Sequence, residues 1–282
     1  DGRAHLGLPT EDLGAATLPP DTAIRLCDRH FGIGADGVLL VLPSTSGAAR
    51  MRIINADGSV AEMCGNGIRC VAQHLAVHHG LPHDVLEIET DAGRKACAIV
   101  RGPDGRVDGV RVAMGPPALR VTDAWVPLAT VPAPARAQMA ANATRAYDIG
   151  SHTLAGLALS MGNPHFVSFW PEVTPALAEH VGQALVYHPD FTEGTNVELC
   201  APQGQGALSL IVFERGVGLT LACGTGAAAT AVAACLTGRA AAGSAVSVHL
   251  PGGRAAVTVS EGYDEVWLEG PAVEVFRGEL VP

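Results

Sequence analysis

Lysine is almost missing from this chain: Lys95 is the only one in 282 residues, and it falls in a strand-like run. A pyridoxal phosphate enzyme needs a lysine for its Schiff base, so that class has a single candidate here. Aromatic residues make up only 4% against 48% hydrophobic, which makes the cores aliphatic. Charge is sparse at 16%, and 18 Lys plus Arg face 28 Asp plus Glu, a formal net charge of -10. That balance gives no electrostatic footprint for nucleic acid. The seven cysteines are odd in number and scattered, with no C-x-x-C pair, which argues against a secreted disulfide scaffold. The opening DGRAHLGLPTEDLG has no apolar core of the signal-peptide kind. The most apolar stretch, Leu219 to Leu236, is Ala- and Gly-rich and broken by Thr, which argues against a membrane span. The expectation is a soluble cytoplasmic protein with no membrane partner. Its length suffices for two domains, and 34 Gly with 19 Pro imply many turns and short elements.

A repeat organises the chain. Residues 85–94 read VLEIETDAGR and residues 245–254 read AVSVHLPGGR, each after a helix-like stretch and each leading to a run that ends in Gly-Pro. Upstream, Cys64-Gly-Asn-Gly has a counterpart in Cys223-Gly-Thr-Gly. The offset is 159 for the cysteines and 160 for the Gly-Arg turns. Two similar halves follow, unless the likeness is only that of Gly-rich turns in general. The spacing of Ile68, Val71, Ala72, Leu75 and Ala76 predicts a helix stopped by Gly80 and Pro82. A second is expected from about Gly224 to Gly238, and a short one from Thr174-Pro175 to Gly182. Runs at 38–42, 51–54, 85–90, 107–112, 154–161, 207–213, 246–250, 255–259 and 265–268 read as strands. Five prolines between Pro116 and Pro134 mark the expected crossing between halves. The fold class is α+β: two similar strand-rich domains, each holding one helix that starts at a Cys-Gly-x-Gly turn.

A cysteine at a helix N-terminus meets about half a positive charge from the aligned peptide dipoles. That environment lowers a thiol pKa from about 8.5 toward neutrality, and the glycines let backbone N–H groups face a carboxylate. Two such halves offer the parts for stereoinversion: one thiolate removes an α-proton and an opposing thiol returns a proton to the other face. Cys64 and Cys223 could instead be small buried hydrophobes, which is the reading adopted for Cys27, Cys70, Cys97, Cys200 and Cys235. A thiol redox or binding module would use the same low-pKa cysteines but would want a resolving cysteine close by in sequence. His74 and His78 stand at i, i+4 and could hold a metal, but no carboxylate or Cys completes the set nearby, so no metal is expected.

Five segments go beyond generic pattern: DRHFGIGADGVLL at 28–40, INADGSVAEMCGNGIRC at 54–70, MGNPHFV at 161–167, TNVE at 195–198 and FERGVGLTLACGTGAAA at 213–229. In this order they resemble the diaminopimelate epimerase family, from about Cys27 to the C-terminus. The resemblance implies each domain wrapped around its central helix, with the active site in the cleft between them. It also implies domains over 1–115 and 116–273, a C-terminal strand at 274–282 completing the first, and a homodimer. It implies interconversion of LL- and meso-diaminopimelate, in lysine and peptidoglycan-precursor synthesis, with no cofactor. Carried over residue by residue, Cys64 and Cys223 resemble the acid–base pair, and Gly65, Asn66, Gly224 and Thr225 the carboxylate cradle. Asn55, Asn163, Asn196 and Arg215 resemble the groups that hold the substrate, notably its distal amino-acid end. Amides donate and accept, and Arg grips a carboxylate at two points. Glu214 and His165 resemble groups that support catalysis near the reacting amine and thiols, and Glu214 also resembles a substrate-binding group.

Two departures accompany the resemblance. Family members begin with a strand bearing a G-x-x-N-D-F-like motif whose Asn contacts substrate, whereas this chain opens at Asp1-Gly2-Arg3, like the loop after it. The expectation is that a first segment is missing from the sequence or that part of the site is absent. After Asp36, where some members carry Gln, stands Gly37, so no ligand is assigned there. A racemase of the same fold acting on another amino acid, such as histidine, is the nearest alternative. The Asn and Arg set favours a substrate with a second charged end.

Overall fold

A computed structural model describes residues 5–9 (backbone only), 18–80, 83–204 and 206–280. The chain divides into two compact units. One reaches to Val112 and takes up the residues from Glu269 on; the other is formed by Ala113–Leu268. No helix of the described residues is long and apolar enough to cross a membrane.

The two units repeat one topology. In the first, His5–Pro9 runs parallel to Gly37–Leu42, and helix α1 (Pro20–Cys27) lies between them in sequence. Gly37–Leu42 turns back onto Ala49–Asn55, which pairs antiparallel with Val60–Ala61 and parallel with Val85–Thr90. Helix α2 (Gly65–His78) makes the crossover. Two more antiparallel strands follow, Gly93–Arg101 and Val107–Gly115.

The second unit opens with two additions: helix α3 (Ala133–Ala143) and an antiparallel run of Arg145–Ile149, His152–Ser160 and Pro164–Phe169. The same order then returns. Pro164–Phe169 runs parallel to Asn196–Pro202, with helix α4 (Pro175–Leu185) between them. Asn196–Pro202 turns back onto Ala207–Glu214, and that strand onto Gly218–Thr220. Helix α5 (Gly224–Leu236) crosses to Ala245–Leu250, which is parallel to Ala207–Glu214 and hairpinned to Gly253–Val259. The Gly-Arg turns that repeat in the sequence are these two hairpin corners, and positive φ of 91° at Gly93 and 140° at Gly253 explains the glycine at both.

Each unit wraps its strands around the helix that follows its Cys-Gly-x-Gly turn. Helix α5 packs against six neighbouring strands, and residues Gly226 to Ala234 are all buried. A helix apolar all round belongs in a core, and Ala and Gly let strands come close on every side. Most of the Leu219 to Leu236 stretch, from Gly224 on, is therefore the axis of a domain.

Three expectations change. The proline-rich stretch is not a bare crossing: Ala118–Val121 and Ala124–Pro127 form a hairpin whose first strand joins Leu159 and Ser160, and α3 begins at its end. Prolines at strand ends and at a helix's first turn leave such elements intact. The segment read as a strand over 274–282 forms none among its described residues. It is held instead through Glu274 and Arg277, which bond to the His78 ring, while Val273, Val275 and Phe276 stay exposed.

Helix α4 does not stop at Gly182 but runs through it, because that residue is a packing contact. A Cβ there would lie 2.2 Å from Phe213 Cγ and 2.4 Å from its Cβ. Gly182→Ala is therefore expected to destabilise by about 1–3 kcal/mol through overpacking, although Ala favours helix by up to about 1 kcal/mol. A urea midpoint raised by the substitution would show that Phe213 is not fixed there.

Candidate active site

The two cysteines occupy the same local structure. Cys64 is the N-cap of α2 with φ -139° and ψ 114°, and Cys223 the N-cap of α5 with φ -135° and ψ 111°. Each sulfur accepts from the N–H three residues on: Gly67 N at 3.3 Å and Gly226 N at 3.4 Å. The first N–H groups of a helix have no partner within it. Gly65 and Asn66 on α2, and Gly224 and Thr225 on α5, thus present donors beside a sulfur, as anion binding requires. Glycine at the third position is sterically needed: a Cβ on Gly67 would meet Leu39 Cδ2 at 2.8 Å, and one on Gly226 would meet Glu198 Oε1 at 2.9 Å.

Their electrostatic surroundings differ. Beside half-buried Cys64 stands Arg69, itself buried; its guanidinium donates to Gly65 O at 3.2 Å and Asn66 Oδ1 at 3.0 Å and is within electrostatic reach of the Cys70 sulfur and, more weakly, of Cys64. Cys223 is buried, and burial pushes its thiol pKa up, reinforced by Glu214 and Glu198. The expectation that the helix N-terminus lowers this pKa toward neutrality does not hold for Cys223. Desolvation and two carboxyl groups outweigh the dipole and the Gly226 N–H.

Around Cys223 the structure links several expected residues in one chain of hydrogen bonds. Thr225 Oγ1 lies 3.6 Å from the sulfur and accepts from Asn163 Nδ2 at 3.4 Å. Asn163 Oδ1 is 2.9 Å from His165 Nε2, and His165 Nδ1 is 2.6 Å from Glu198 Oε1. Both partners of that last contact are fully buried. Glu214 accepts from Thr220 Oγ1 at 2.6 Å.

Three residues expected to hold substrate have other partners here. Buried Asn196 donates to Pro164 O at 3.2 Å and accepts from Arg215 N at 2.9 Å, so its amide braces two strand ends. The exposed Arg215 side chain donates to Glu193 O. Asn55, in the other unit, ends its strand and donates to Ser59 Oγ at 2.9 Å.

Glu198 and Arg69 were absent from the expected site, although both fall inside quoted motifs. A charge between apolar neighbours, in NVELC and in GIRCV, is the signal that could have marked them, since such groups are buried only when paired.

His74, His78 and Glu274 bring one ligand atom each to within 4.8 Å of one another. The carboxylate lacking near the i, i+4 histidines thus comes from the C-terminal segment. Arg277 donates to the His78 ring at 2.8 Å and to Glu274 Oε1 at 2.5 Å, so a guanidinium already supplies that cluster with a positive charge.

A family model described as diaminopimelate epimerase matches residues 2–120 and 157–275. Among curated proteins, the diaminopimelate epimerase of Moorella thermoacetica is 44% identical over 262 residues, covering 93% of this chain and 89% of its own. That of Synechocystis sp. is 42% identical over 264 residues, with the same coverage of both chains. Among solved structures, a predicted epimerase from Pseudomonas aeruginosa matches with a TM-score of 0.65 at 19% identity, over 98% of this chain and 93% of that one. A hydroxyproline epimerase from Agrobacterium vitis matches with 0.59 at 18% identity, over 88% and 76%. At those identities the structures speak for the fold alone. The match of the family model to both halves, with relatives above 40% identical along nearly the whole length, shows that the chain belongs to the diaminopimelate epimerase family.

Proposed function

We propose that this chain inverts the α-carbon of LL-2,6-diaminopimelate to give the meso form, using Cys64 and Cys223 as the two acid–base groups. Family membership supports the reaction. The observation that carries the two-cysteine reading is the repeated cap: the same dihedral angles and the same N–H to sulfur bond at both sites. Burial, reinforced by the carboxyl groups of Glu214 and Glu198, favours the thiol form of Cys223 at rest, so the base in this direction is assigned to Cys64. Cys64 takes the α-proton while Cys223 S–H supplies a proton to the opposite face, leaving its own thiolate on the Gly226 N–H. The reverse direction exchanges the roles.

The helix N–H groups at Gly65, Asn66, Gly224 and Thr225 hold the carboxylate at the reacting carbon. Asn55, Asn163, Asn196 and Arg215 serve the distal end, the last two after giving up their present partners. His165 and Glu214 support the reacting groups. No cofactor or metal takes part, because the chain supplies both acid and base. The same reading makes the protein a cytoplasmic homodimer in lysine and peptidoglycan-precursor synthesis, by likeness to the family. The net charge of -10 speaks against a nucleic-acid partner, and no membrane partner is proposed.

Turnover in deuterated water tests the mechanism. Deuterium should enter the α-position of the product from the first turnovers, while recovered substrate stays largely unlabelled. A product that retains the substrate's own hydrogen would mean a single base. Chiral analysis with other L-amino acids in parallel decides the substrate, and faster inversion of one of them than of diaminopimelate would favour the racemase alternative.

A further inference from the structure

We infer that Glu198 is a positioning residue of the Cys223 half-site: it fixes the His165 ring and shares one buried proton with it behind the cysteine's cradle. This rests on the assignment of His165 and Cys223 to the site made above.

The strand geometry dictates the meeting. His165 lies opposite Asn196 in the parallel pair, so Glu198, two residues on, shares its face of the sheet. That face is covered by α5, as the contact of Cys200 with Thr230 Oγ1 at 3.5 Å shows. Glu198 is fully buried. Its Oε1 approaches His165 Nδ1 at 2.6 Å, and its Oε2 has no hydrogen-bond partner among the described residues.

The count of protons follows from the neighbours. Asn163 Nδ2 donates to Thr225, which leaves Asn163 Oδ1, an acceptor only, facing His165 Nε2. Nε2 therefore carries a hydrogen. The short Nδ1–Oε1 contact needs one proton more, on nitrogen or on oxygen, and the pair is neutral overall in both forms. A neutral pair is what full burial favours, since a lone carboxylate there would lack any compensation. Burial accordingly raises the Glu198 pKa, with His165 opposing. The ring is thus held as an Nε2–H donor.

The pair also borders the sulfur. The point where a side chain at 226 would begin lies 2.9 Å from Glu198 Oε1 and 3.2 Å from Cys223 Sγ. The titratable groups facing Glu198 are His165, Glu214, Cys200 and Cys223. No proton leaves the pair in the reaction; it acts by orientation and by its field.

The test compares the full-length protein with Glu198→Gln, which keeps the shape and removes the ionisable oxygen. Nitrogen-15 and proton NMR of the wild type should show a far-downfield His165 Nδ1 proton across the neutral pH range, lost in the variant. The variant's kcat should fall by roughly 10- to 100-fold, as for other residues that orient a reacting group through a neighbour, with KM little changed. One limb of its pH–rate profile should also move. A purely structural residue would lower the melting point and leave the profile alone, and that result overturns the inference. So does a wild-type His165 that titrates as an isolated imidazole. A wild type unable to invert diaminopimelate would sink the proposed function, while the downfield proton still decides the pair.

Discussion

Cys223→Ala is expected to abolish inversion, with kcat lower by about 10³-fold or more, in the upper range of what a positioned acid–base group contributes. Neither direction can run without its second group, so Cys64→Ala should do the same. The structure adds a second effect of each change. Both sulfurs cap a helix by accepting a backbone N–H, so Ala should also destabilise the fold by about 0.5–2 kcal/mol. Ser separates the two. Its hydroxyl is a favoured cap for the N–H of Gly226 or Gly67, so Cys223→Ser and Cys64→Ser should unfold at urea concentrations no lower than the parent. They should still be nearly inactive, because a hydroxyl is too weak an acid to exchange protons near neutrality. Urea midpoints and initial rates on all four variants check this. Normal turnover by Cys223→Ala would end the two-cysteine mechanism, and Ser variants as unstable as Ala would refute the capping.

Phe166→Ala should give the largest loss of stability, about 3–5 kcal/mol. The ring is fully buried and meets Tyr147 edge-on with centroids 5.3 Å apart and Phe191 at 5.9 Å. Ala178, Val181 and Leu185 of α4 close the cluster. On the neighbouring strand Gly156 makes room for the ring: a Cβ there would meet Phe166 Cζ at 2.7 Å. Truncation therefore leaves a cavity among residues that are themselves fixed. Chemical unfolding measures it, and a loss under about 1 kcal/mol would mean that this cluster is not the core of its unit.

Much of this fold was legible because local signals agreed with it. Alternation marked Val85–Thr90 and Ala245–Leu250, and the Cys-Gly-x-Gly turns marked where α2 and α5 begin. What escaped reading did so for identifiable reasons. Asn196–Pro202 lies between α4 and α5, and Pro164–Phe169 meets α5 on one face and puts Phe166 into the α4 cluster on the other, so burial does not alternate along them. In NVELC the polar residues alternate with apolar ones, a pattern that reads as one face in water, yet Asn196 and Glu198 are buried. Helix α1 is short, but its proline in the first turn and the buried Ala23 and Cys27 four residues apart were available signals. The grip of Glu274 on His78 spans 196 residues, and no local pattern encodes so distant a contact.

His165 and Phe166 are neighbours in the chain on opposite faces of one strand, the first turned to Glu198 and α5, the second to the α4 cluster. Adjacent codons thereby answer to different selective pressures. Variation at 166 is filtered by how much folded protein accumulates in the cell and, on the proposed function, variation at 165 by how fast each molecule works. A lineage can therefore retune the chemistry of one face while the other keeps the chain folded, which gives a physical route by which a single architecture comes to host several reactions.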